Sequence, residues 1–167
     1  NAFFRNTVKM NRSLTWVFTF SVITLVLYLG SLLGFMLQTV YAISVLGCLL
    51  SLYYLWAVWK KKYRFRRLDY IALGMMAYLL LFGITLWHSP LLHYDNFTHW
   101  ATIVKFFHIN NALPTQQDTI ISYYTYPVGS SLFIYFFTTI VGFSEGSMLV
   151  GQFFLIASSL YAMFAAL

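Results

Sequence analysis

Five stretches of this chain carry no Asp, Glu, Lys, Arg or His: residues 14–37, 41–59, 70–87, 126–143 and 148–167. About 20 mostly apolar residues span the hydrocarbon of a bilayer, and a charge at its centre costs about 2.5 to 3.5 kcal/mol on insertion scales. Runs of this length and purity predict transmembrane helices. The expected fold class is an all-α membrane protein with about five such helices. Composition agrees, since charged residues are 8% and hydrophobic ones 60% of the chain. A soluble domain has roughly 25% and 45 to 50%, and so few ionisable groups cannot clothe a water-facing surface.

The ten cations are not scattered. Nine fall in two clusters, Arg5, Lys9 and Arg12, then Lys60, Lys61, Lys62, Arg64, Arg66 and Arg67. Each cluster flanks an apolar run, the pattern of cytoplasmic loops under the positive-inside rule. The excess of cations is therefore read as contact with membrane lipids and not as a nucleic-acid surface. The amino end and the basic loop 60–69 are then cytoplasmic, and the first two helices form a hairpin with Gln38 and Thr39 at its tip. The third helix crosses outward, and segment 88–125 faces away from the cytoplasm. By alternation alone, the fourth helix returns, residues 144–146 lie inside, and the fifth crosses again. Trp56, Trp59, Tyr63, Tyr70 and Trp87 stand near helix ends, where amphipathic rings prefer the interface. Three regions follow: 1–87 with three helices, the outer loop 88–125, and 126–167 with two more.

Cys48 is the only cysteine, so no disulfide forms within the chain. The first apolar run exceeds a signal-peptide core of roughly 7 to 15 residues. The chain begins at Asn1 and stops inside an apolar run, and it reads as the amino-terminal part of a longer protein of the bacterial plasma membrane. Gly30 and Gly34 form a small-xxx-small pair, which marks either a dimer face or the close approach of a neighbouring helix.

All four histidines, His88, His93, His99 and His108, and two of the four acids, Asp95 and Asp118, lie in the outer loop. Exclusion from the bilayer explains part of this clustering. The loop has further order, however: Phe97, Trp100, Ala101, Val104 and Phe107 recur at spacings of three and four, opposite Thr98, Thr102 and Lys105. That periodicity predicts an amphipathic helix over 96–109, either flat in the interface or packed on the bundle. Asp95 precedes it, where a carboxylate caps free N–H groups or, alternatively, serves as a general base. His99 lies one turn on, near Asp95. The histidine spacings match no zinc pattern. Asn96-Phe97-Thr98 fits the glycosylation acceptor pattern, a common chance match. Asn110-Asn111-Ala112-Leu113-Pro114 ends the helix, and Tyr126 and Pro127 open the next one, where proline is tolerated.

This order of parts, carried by Tyr94-Asp95-Asn96-Phe97-Thr98-His99-Trp100 and Thr125-Tyr126-Pro127-Val128-Gly129, resembles the first outer loop of GT-C-type membrane glycosyltransferases, the class of protein O-mannosyltransferases and aminoarabinose transferases. The resemblance covers residues 94–143. It implies a polyprenyl-phosphate sugar as donor, an acceptor glycan, lipid or protein, and Asp95 as catalytic base. It further implies His99, Lys105 and His93 around the donor phosphate or the acid, with Tyr126 and Pro127 shaping the rim. A divalent cation is sometimes held there; no cofactor is otherwise implied. Asn96 stands where members often carry a second acid, Val128 where they often carry a second proline, and three helices precede a loop that commonly follows one.

Two other classes compete. A secondary transporter places ionisable groups or broken helices at mid-membrane, and the apolar runs show none in the sequence. A polysaccharide polymerase or ligase uses outward arginines, whereas every arginine here is expected inside.

Overall fold

The computed structural model describes residues 11–60, 70–121 and 124–164. The cations Arg5, Lys9 and those from Lys61 to Arg67, with Tyr63, lie outside the described residues, as does the side chain of Arg12. Among the described residues every regular element is a helix: α1 Arg12–Leu32, α2 Met36–Trp59, α3 Tyr70–Trp87, a π-helical turn Asn96–Trp100 running into α4 Ala101–Asn110, then α5 Gly129–Val141 and α6 Glu145–Met163. Four of these, α1, α2, α3 and α6, are long and apolar enough to cross a membrane, and α5 is a shorter apolar helix. The protein is an all-α membrane protein.

The four long helices alternate in direction. Thr15 near the start of α1, Tyr54 near the end of α2, Ala72 near the start of α3 and Tyr161 near the end of α6 line one cavity, which defines the base of the bundle. At the opposite end, which we call the loop end, α1 turns into α2. Gly34 makes this turn with φ +78°, a conformation that suits glycine, while Phe35 N donates to Gly30 O at 2.8 Å. Gly30 itself lies against Thr39 of α2, with no room for a Cβ. Of the small-xxx-small pair, Gly30 thus serves a contact within the chain and Gly34 serves the turn; close approach between lipid-facing helices is where packing contributes most.

The fourth apolar run behaves differently from the expectation of a crossing. Only 13 residues, Gly129–Val141, are helical, and at about 1.5 Å each they reach about 20 Å, short of a hydrocarbon core of about 30 Å. Gly129 sits beside Thr24, midway along α1. The other end of α5 returns to the loop end, because Gly146 at the start of α6 packs on the carbonyl of Trp87, the last residue of α3. Glu145 Oε2 also accepts from Leu91 N at 2.7 Å. Residues 144–146 therefore lie at the same end as the 88–125 loop, which corrects their expected placement at the opposite end. Alternation assumed that every apolar run crosses; α5 enters from one end and leaves by it.

Local chemistry fixes this return. Gly142, at φ +104°, ends α5. Ser144 then starts α6 with a reciprocal capping box: Ser147 N donates to Ser144 Oγ at 3.0 Å and Ser144 N to Ser147 Oγ at 2.9 Å, satisfying two otherwise orphan donors. Glu145 is exposed, so its bond to Leu91 N is partly screened. Glu145→Ala is expected to lower stability by about 1 kcal/mol, read as a lower thermal midpoint in detergent, while Glu145→Gln, which keeps an acceptor, recovers most of it. α6 is the central element, packing against α1, α3 and α5.

Candidate functional site

The loop helix packs on the bundle at the loop end. Ile103, Val104, Phe106 and Phe107 are buried with Leu27, Met36, Val40, Leu132 and Tyr135. Two polar ties hold its far end to α5. Tyr135 Oη donates to Asn111 Oδ1 at 2.8 Å, and Asn111 takes the left-handed conformation that ends α4. His108 Nε2 lies 2.8 Å from Thr138 Oγ1; because that hydroxyl donates to Ile134 O, the imidazole N–H is the donor. His108 thus has a structural role, as has His88, whose Nδ1 bonds Ile84 O at the end of α3.

The expected amphipathic face is only partly realised. Phe97 is 59% and Trp100 38% exposed, whereas His99 is buried at 4%. The π-helical turn is the cause. Ala101 N bonds back to Asn96 O, and Thr102 Oγ1 donates to Phe97 O at 2.7 Å, each spanning five residues instead of four. The extra residue in the turn rotates everything before it, carrying Phe97 outward and His99 in toward the bundle. Such single π turns are frequent at functional sites, and periodicity at 3.6 residues cannot register one.

His99 then meets the element expected at the rim. Its ring stands edge-on to Tyr126 at 5.0 Å between centroids and to Trp100 at 4.6 Å. Pro127 follows Tyr126 into a cavity of about 810 Å³ between α1 and α6, lined also by Thr24, Tyr28, Tyr124 and Ser158. The described backbone over 113–121 and 124–128 is irregular and reaches the depth of mid-α1 there, which a bilayer tolerates where the chain is enclosed by protein or lines a cavity. In the loop above it, Asp118 Oδ2 accepts from Thr115 N at 2.7 Å and from its hydroxyl at 2.9 Å.

Asp95 does not cap the helix. Tyr94 and Asp95 are already helical, and the Asp95 carboxylate makes no cap hydrogen bond. It lies instead 3.5 Å from His93 Nδ1, both side chains being largely exposed, so the capping role expected of it is not taken up. Asp95 thus pairs with His93 at the surface and acts on the charge of His99, which meets Tyr126, the neighbour of Pro127. Lys105 joins neither contact: it is exposed between the buried pairs 103–104 and 106–107 and faces away from the bundle. Among the described residues no three His, Cys, Asp or Glu side chains gather as a metal site.

Burial holds the His99 imidazole below its ordinary value of 6.5, against a weaker upward pull from Asp95. Burial lowers His108 as well. A histidine whose folded pKa is depressed binds fewer protons folded than unfolded, so stability is complete above about 6.5 and falls as pH drops toward the folded pKa. The thermal midpoint is expected to fall between about pH 7 and pH 5, and His99→Gln to flatten that slope. Comparison with protein-family models, with curated proteins and with solved structures finds no match.

Proposed function

We propose that the protein is a membrane glycosyltransferase that moves a sugar from a polyprenyl-phosphate donor to an acceptor hydroxyl at the extracytoplasmic face. The observation that carries this reading is an accessible carboxylate, Asp95, paired with His93 and near enough to buried His99 to act on its charge, with His99 standing edge-on to Tyr126. Asp95, His99 and Tyr126 are among the residues on which the resemblance to GT-C-type enzymes rests. Asp95 takes the proton of the acceptor hydroxyl. The acceptor oxygen attacks the anomeric carbon, the bond from that carbon to the phosphate oxygen breaks, and polyprenyl phosphate leaves with the electron pair. A phosphate leaving group needs charge stabilisation and no strong acid. His93 pairs with the carboxylate from the surface, and His99 packs edge-on to Tyr126 at the rim.

One feature favours a second reading, a membrane transporter. α5 is a half-length helix that starts beside the middle of α1, the kind of broken element transporters use. A transporter moves its solute without making a glycosidic bond, so product analysis separates the two.

Sidedness is common ground for the glycosyl-transfer reading. With Cys48→Ser as background, a cysteine at exposed Phe97 is expected to react with a membrane-impermeant maleimide from outside intact cells. Labelling only after the inner face is opened would end the proposal.

A further inference from the structure

Hydroxyls in the helices of this protein mostly close on the carbonyl one turn back. Thr19, Ser21, Thr24, Ser44 and Ser51 do so at 2.7 to 2.9 Å. Ser131 departs from this habit: it is 1% exposed, and its Oγ has no hydrogen-bond partner. A buried hydroxyl left unsatisfied is costly, and the polarity of such a group is best explained by a partner that comes from outside the chain.

Its surroundings say which chemistry that partner has. Ser131 is in the first turn of α5, whose N-cap residue Val128 supplies no side-chain acceptor, so the leading N–H groups are also open. Ser131 lines a cleft of about 300 Å³ together with Asn96, Trp100, Ser130, Met148 and Gln152, a volume at the small end of ligand sites. The cleft runs from Asn96 in the loop helix down to Gln152, seven residues into α6 and so about 10 Å below its start. A glutamine within a spanning helix is the sort of polar intrusion that marks a functional path.

The polar groups of this cleft are two hydroxyls and two carboxamides, which both donate and accept. No cation lines it, and Asp95, adjacent to Asn96, opposes an anion. Trp100, with Leu91, Ala101, Val104, Ile134 and Met148, makes the rest of the wall apolar. An uncharged ring that meets four donor-acceptor groups on its hydroxyls and an apolar wall on its face describes a sugar.

We propose that the cleft between Asn96, Ser131 and Gln152 is a binding site for an uncharged hexose-class sugar, with Ser131 and Gln152 setting its specificity. This rests on the glycosyl-transfer reading for the choice of ligand and deepens it by naming the residues that hold the sugar.

The test is equilibrium binding to the full-length protein in lipid nanodiscs. Two probes are used, a tritiated methyl hexoside supplied from water and a geranyl hexoside supplied from the bilayer, with inorganic phosphate as competitor. Tighter retention of the geranyl probe identifies a lipid headgroup as the source, and equal retention identifies free sugar; either supports a sugar site. Ser131→Ala and Gln152→Leu are each expected to weaken binding at least about tenfold, and Ser131→Ala to leave the thermal midpoint unchanged or higher. Gln152→Met is the substitute if Gln152→Leu does not accumulate. Binding that is the same in both variants, or displacement of the hexoside by phosphate, overturns the proposal. If Asp95→Asn abolishes transfer while the cleft variants bind as the parent does, the enzyme reading stands and the cleft assignment falls. If the cleft variants lose binding but the parent forms no glycosidic bond, the cleft stands and the enzyme reading falls.

Discussion

Asp95→Asn is expected to lower sugar transfer at least about 100-fold, the usual scale of a lost general base, with the protein accumulating in the membrane at parental levels. Two features separate these effects. The carboxylate makes no cap hydrogen bond, so removing its charge leaves the helix start intact. Its pair with His93 is at the surface, where ion pairs contribute little to stability. A purely structural carboxylate predicts the opposite pattern, with transfer unchanged per folded molecule. Transfer from a radiolabelled polyprenyl-phosphate sugar, divided by the monodisperse yield of the same preparation, distinguishes the outcomes. His93→Gln is expected to change the rate far less, since that ring only meets the acid from the water side.

Gly146→Ala is expected to cost the fold about 2 to 3 kcal/mol or more, in the range of overpacked cores. A Cβ at this position runs into the carbonyl and Cα of Trp87, which are backbone atoms and cannot swing aside as a side chain can. The start of α6 must then leave the end of α3, taking with it the Glu145 bond to Leu91 N. Fluorescence-detected gel filtration should show a several-fold loss of the monodisperse peak and a thermal midpoint lowered by several degrees. Gly74→Ala is the control, because a Cβ there meets nothing within 4 Å; it should match the parent.

The long helices were legible because lipid enforces a simple rule: a run of apolar residues long enough to span must satisfy its backbone internally. The 70–87 run is α3 to the residue, and 41–59 lies within α2. The 126–143 run misled because length and purity report solubility in hydrocarbon and not direction. What turns α5 back lies in the positive φ of Gly142 and the Ser144 and Ser147 capping box, which are local and carry no apolar signal, and in the Glu145 contact with Leu91, which depends on the partner element being in place. At the site, Asp95, His99, Tyr126 and Pro127 were legible as residue types in order along the chain. The meeting of His99 with Tyr126 was not, because it depends on one surplus residue in a helical turn. Gln152 and Ser131 gave a weaker signal: each is a polar residue in or beside an apolar helix, a pattern shared with many serines that merely bond their own backbone.

The return of α5 has a consequence for how the polypeptide is threaded. With α1, α2, α3 and α6 as the candidate passages among the described residues, the count is even, so Met163 comes out at the end of the bundle from which α1 departs. A phosphatase reporter spliced in there and one spliced in before Arg12 should give matching signals.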